Sequence, residues 1–133
     1  MKKILLVDDS EMYVEVASNY LKPQFEVVVA RSGNEALNFL AGGFIPDLIL
    51  LDILMPEMDG WETYNIIKGI SLLRDVPIAF LTAIDDEAEK DHAAIIGASA
   101  YITKPFKKKT LLEKVNAIIQ EHETNADSTV MSH

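Results

Sequence analysis

Cysteine is absent from the 133 residues, so no disulfide staples the chain and no thiolate is available as nucleophile or metal ligand. That absence fits a reducing compartment. Long apolar runs are missing as well, none approaching the roughly 18 residues of a membrane helix. At the amino end only Ile4 to Val7 separate Lys2 and Lys3 from Asp8, too little for the core of a signal peptide. The sequence therefore predicts a soluble, cytoplasmic protein. Positive charge is scarce: 12 Lys and Arg face 21 Asp and Glu, a net charge of -9. Such a balance opposes non-specific attraction to nucleic acid or an anionic membrane and points to a protein or small-molecule partner. No low-complexity tract occurs, and 49% apolar content suffices for one core at this length.

What is present is a strand followed by a helix, five times over. Ile4 to Val7 form a short apolar strand. Ser10 to Leu21 carry Tyr13, Val16, Ala17, Tyr20 and Leu21 at helical spacing, and Pro23 ends that helix. Glu26 to Ala30 is β-branched and extended. Ser32 and Glu35 make a capping box for a helix through Leu40, stopped by Gly42 and Gly43. Leu48 to Leu51 read as a strand buried on both faces. Asp59 and Glu62 open a helix that presents Trp61, Tyr64 and Ile67 on one side and ends near Gly69. Ile78 to Leu81 are another fully apolar strand, closed by Thr82. Asp85 and Asp86 begin a helix to Ile96, and Gly97 suits its left-handed terminator. Ala100 to Thr103 precede Lys104 and Pro105. Leu111, Leu112, Val115, Ile118 and Ile119 then define a last amphipathic helix. From residue 123 the sequence ETNADSTVMSH loses apolar periodicity and is expected to be a disordered tail or linker stub. Alternation of this kind predicts an α/β doubly wound, five-stranded parallel sheet with helices on both faces. Bringing strands one and three together gives the flavodoxin-like order 2-1-3-4-5.

The residues with chemistry to offer all fall at the carboxyl ends of strands: Asp8, Asp9, Asp52, Thr82 and Lys104. Asp52 stands out because it follows four apolar residues, where an unpaired charge costs several kcal/mol. Three carboxylates about 5 Å apart repel by roughly 3 kcal/mol per pair at an effective dielectric near 20. A divalent cation relieves this, and an all-oxygen donor set selects Mg2+, Mn2+ or Ca2+. Cation, ammonium and hydroxyl together make a trap for a phosphoryl group, with Asp52 as nucleophile and an aspartyl phosphate as product. Singly, each residue is ordinary: Asp8 and Asp9 as helix caps, Thr82 as a strand residue, Lys104 as a solvated lysine. Their coincidence at one sheet edge is what carries the reading.

The motifs LLVDDS, LILLDILMPEMDGWE, FLTA and AYITKPF, in that order, resemble the receiver domain of two-component response regulators, including its single-domain chemotaxis type. The likeness covers Lys2 to about Glu121 and places a receiver domain over residues 1–122. It implies phosphoryl transfer to Asp52 from the phosphohistidine of a sensor histidine kinase or phosphotransfer protein, with Mg2+ as cofactor. It implies that Asp9 binds the metal directly, Asp8 mainly through water, and the Leu54 backbone carbonyl as a further ligand. Thr82 and Lys104 would contact the phosphoryl oxygens, with the small Ala83 leaving room. Thr82 and Tyr101 would form the switch, and helix four, strand five and helix five the surface offered to a downstream protein. A cis bond between Lys104 and Pro105 is implied too, as is a monomer or phosphorylation-dependent dimer that catalyses only its own phosphorylation and dephosphorylation.

Two alternatives use the same residues. A Mg2+-dependent phosphatase working through an aspartyl phosphate would want a second acid two residues after Asp52, where this chain has Leu54. An FMN protein would want hydroxyl and glycine donors after strand one, where this chain has acids. Apolar Leu54 and Ile84, two beyond Asp52 and Thr82, are expected to hinder an attacking water and prolong the phosphate. The Lys107 to Lys109 run reads either as a patch for an acidic partner or as a solvated face. Trp61 and Tyr64 are expected in the core, and His92 exposed among polar neighbours.

Overall fold

The computed structural model describes the backbone of residues 1–131 and the side chains of residues 1–125. The elements are β1 (Lys3–Val7), α1 (Glu11–Leu21), β2 (Glu26–Ala30), α2 (Gly33–Ala41), β3 (Leu48–Leu51), α3 (Gly60–Lys68), β4 (Ile78–Thr82), α4 (Glu87–Ile96), β5 (Ala100–Thr103) and α5 (Lys108–Met131). One sheet of order β2-β1-β3-β4-β5 contains all five strands, every pair parallel. The doubly wound architecture and its strand order are those expected.

The reason lies in the apolar runs. All of β3 and β4 is buried, which a strand tolerates only with helices on both sides. Alternate residues feed two cores: Leu5, Val7, Ile49, Leu51 and Phe80 face α2, α3 and α4, whereas Ile4, Leu6, Leu48, Leu50 and Leu81 face α1 and α5. By contrast β2 is half-buried, as befits an edge. Ser10, Ser32, Asp59 and Asp86 cap their helices by accepting from the backbone N–H groups of Tyr13, Glu35, Glu62 and Ala88. Gly97 ends α4 at φ 98°.

Four details differ from expectation. The buried stripe of α1 is Val14, Ala17, Ser18 and Leu21, while Tyr13 and Tyr20 sit half-buried at its margin against the Phe106 ring, at 6.0 and 6.1 Å. A short 3-10 turn, Ser71–Leu73, occupies the α3–β4 connection and buries Leu73. Helix α5 continues past Glu123 to Met131, because nothing from Thr124 on is Gly or Pro and no local signal stops it. Lys2 pairs with Glu123 there at 2.5 Å. Finally, exposed His92 is not merely among polar neighbours but stacks on Trp61.

Candidate functional site

Asp8, Asp52 and Lys104 are each held by a backbone bond that carries the sheet one step past its strand. The Asp8 N–H donates to the Ala30 carbonyl at 3.0 Å, the Asp52 N–H to Val7 at 2.9 Å, and the Lys104 N–H to Thr82 at 2.8 Å. Strands β1, β3, β4 and β5 thus deliver Asp8, Asp52, Thr82 and Lys104 to one edge at fixed heights. Behind Asp52, Gly60 opens α3: a Cβ there would press on the Asp52 carbonyl and lie 2.7 Å from the Ile53 Cα, so only glycine permits this approach.

One carboxylate oxygen each from Asp8, Asp9 and Asp52 lies within 4.8 Å of the others. Asp8 is 1% exposed and Asp52 5%, while Asp9 faces solvent. The Lys104 ammonium reaches in from β5, 2.6 Å from Asp8 Oδ2 and 3.3 Å from Asp52 Oδ2. Its side chain is only 4% exposed, and the Tyr13 ring lies beneath the ammonium at 4.5 Å. Asp8 Oδ1 accepts from the Ser10 N–H at 2.9 Å. Asp52 Oδ1 is buried and accepts no hydrogen bond of ordinary length and angle. Burial pushes the Asp52 carboxyl above the usual carboxylate range; Lys104 pulls it back, the Asp8 charge raises it again, and the neighbouring Thr82 hydroxyl offsets a little of the rise. A buried acceptor left over beside two further carboxylates suits a hard divalent cation.

Around this cluster, Thr82 is fully buried and its hydroxyl accepts from the Ile84 N–H at 3.4 Å. Tyr101 is half-buried and donates from its hydroxyl to the Ile84 carbonyl at 2.7 Å. The Ala83 side chain faces solvent, the Leu54 side chain is 60% exposed, and Lys104-Pro105 is cis. Asp8, Asp9, Asp52 and Lys104 thus meet at one edge where β4 also ends at Thr82, whereas Tyr101 lies within β5, paired with Phe80 two residues before that edge. Sequence reasoning missed the Tyr13 ring, the Ile84 carbonyl and the Ser10 N–H. The helical spacing of Tyr13 pointed to packing, and the other two are backbone groups that no side-chain pattern reveals.

A model of the response regulator receiver domain matches residues 4–116. The chain belongs to that family. Among curated relatives, the alkaline phosphatase synthesis transcriptional regulatory protein PhoP of Bacillus subtilis is 38% identical over 133 residues, 99% of this chain and 54% of that one. The chain thus spans about half the length of the first curated relatives it matches. Chemotaxis protein CheY4 of Vibrio cholerae superposes with a TM-score of 0.82 at 33% identity, covering 89% of this chain and 98% of that one. Response regulator Rcp1, solved in a Mn2+-bound form, gives 0.75 at 31% identity over 89% of this chain and 91% of its own. This receiver domain has no helix, among the described residues, long and apolar enough to cross a membrane.

Proposed function

We propose that this receiver domain accepts a phosphoryl group on Asp52 from the phosphohistidine of a sensor histidine kinase or phosphotransfer protein, in the cytoplasm and with Mg2+. The carrying observation is the buried Asp52 oxygen, without a hydrogen bond of ordinary length and angle, between two further carboxylates and one buried ammonium. An Asp52 carboxylate oxygen attacks phosphorus, the P–N bond breaks, and the imidazole nitrogen leaves with the electron pair. Asp8, Asp9, Asp52 and the Leu54 carbonyl would hold the cation. When bound, it neutralises the clustered carboxylates and the charge on the phosphoryl oxygens. Mn2+ can serve in its place, as the Rcp1 form suggests.

Lys104, shared between Asp8 and Asp52 before transfer, is placed to pair with a phosphoryl oxygen afterwards. Thr82 gives up the Ile84 N–H and donates to a second oxygen, with exposed Ala83 leaving that side open. Tyr101, bonded to the same residue's carbonyl, follows the β4–α4 loop. The changed surface of α4, β5 and α5 then meets a downstream protein. In this reading residues 1–122 form the signalling unit, and the chain processes no external substrate. Nothing favours the phosphatase alternative: the exposed side chain two beyond Asp52 is Leu54, which cannot act as an acid.

Incubation with acetyl phosphate and Mg2+, followed by intact mass, tests the proposal. The expected result is a lasting gain of one phosphate, lost in Asp52→Asn and on chelation. Turnover without accumulation, or an unchanged gain in Asp52→Asn, would contradict it.

A further inference from the structure

Helix α4 is weakly anchored by its own side chains. Its sequence EAEKDHAAII contributes only Ala93 to the buried core, whereas α1 and α3 bury four residues each. What holds it instead is a set of aromatic side chains from other elements. Ahead of its first turn, Tyr101 of β5 donates to the Ile84 carbonyl at 2.7 Å. At its last turn, Tyr64 of α3 donates to the Ile96 carbonyl at 3.1 Å. In between, Trp61 of α3 stacks on His92, ring centroids 4.3 Å apart and planes 17° from parallel.

All three aromatic rings meet at Phe80, which is completely buried in β4. Its centroid lies 4.7 Å from that of Trp61, 5.6 Å from Tyr64 and 6.3 Å from Tyr101. Phe80 is two residues before Thr82 on the same strand, so their side chains share one face of the sheet. A displacement of Thr82 toward a phosphoryl group would alter the sheet face next to the ring on which all three holds on α4 converge. Packed aromatic groups have few alternative arrangements, so such a push tends to change one contact for another rather than spread evenly.

We propose that the switch has a second arm, running from Thr82 through Phe80 to the Trp61–His92 stack, by which phosphorylation sets how firmly α4 is held against α3. The inference rests on the phosphoacceptor reading above, and it makes His92 and Trp61 positioning residues outside the reaction itself. It also carries the signal to the α3–α4 side of the molecule, away from β5 and α5.

Trp61 is the chain's one tryptophan, so its emission reports the stack without labelling. The experiment follows that emission, together with amide exchange of residues 87–96, in the full chain with Mg2+ before and after acetyl phosphate; intact mass counts phosphate independently. The arm predicts an emission change that tracks phosphate uptake, with α4 exchange altered about threefold to tenfold. In His92→Ala the emission should be displaced before any phosphate is added and the further change on phosphorylation should shrink, with uptake by mass retained. His92→Phe, which can stack, should restore the original behaviour. Full phosphate uptake with emission and α4 exchange unmoved would overturn the second arm and leave the phosphoacceptor reading standing. No phosphate uptake at all would overturn both.

Discussion

At the residue scale the site is a problem of charge in a small buried volume. Asp52 ionises against its surroundings: burial first, and the Asp8 carboxylate after it, hold its carboxyl above the ordinary range despite Lys104. A carboxyl raised by folding makes the folded state prefer the neutral form. Its ionisation thus costs stability once pH rises above the unfolded-state value, about 3.9, and the full cost is reached above the raised folded value. Asp52→Asn is accordingly expected to be more stable than the parent at neutral pH, with the difference vanishing as pH falls below the unfolded Asp range; urea titration at several pH values measures it. Lys104→Met should do the reverse, since it strands two buried carboxylates, at a cost of about 3 kcal/mol without added metal. The Leu54 side chain is exposed, so Leu54→Asn should leave stability within about 0.5 kcal/mol. The same change, combined with Ile84→Asn, is expected to quicken phosphate loss in a mass time course. An unaltered decay would remove both side chains from the account.

At the scale of elements, the strands present functional groups and the helix starts fix how closely loops approach them. Gly60 is the tightest point, because the α3 N-terminus lies against the backbone of Asp52 and Ile53. Gly60→Ala forces backbone apart, and a loss of about 1 to 3 kcal/mol is expected in denaturant unfolding, with slower phosphate uptake than in the parent. The apolar runs of β1, β3 and β4 were legible in the sequence because strands covered on both faces need apolar residues at every position. From that, with strict strand–helix alternation, the sheet order and the shared edge of Asp8, Asp52, Thr82 and Lys104 followed. The caps of α2 and α3 were equally plain, since Ser32 with Glu35 and Asp59 with Glu62 are local patterns. What could not be read depends on distant elements meeting side by side. The Tyr13 ring under Lys104 joins α1 to β5, and His92 on Trp61 joins α4 to α3; neither spacing betrays the other. The end of α5 was missed for the opposite reason, as the tail's polarity removed the packing signal without supplying a breaker.

At the scale of the whole molecule, a chain of net charge -9 gathers three of its carboxylates, Asp8, Asp9 and Asp52, only when β1 and β3 pair and bring their ends together. Binding there should stabilise the native chain and leave the unfolded chain untouched. Mg2+ at 100 times its dissociation constant is expected to add about 2.7 kcal/mol and raise the melting temperature by several degrees, an effect reduced in Asp52→Asn and reversed by chelator. Calorimetry checks this, and a melting temperature indifferent to Mg2+ would remove the cation from the account.

The most direct test of the central claim asks where the phosphate goes. An aspartyl phosphate is an acyl phosphate, and borohydride reduces it to homoserine, marking the acceptor in the chain itself. After exposure to acetyl phosphate and Mg2+, reduction and peptide mapping should place homoserine at position 52 and at none of the other acidic residues. Homoserine at Asp8 or Asp9, or its complete absence from a chain shown by mass to be phosphorylated, would contradict the account.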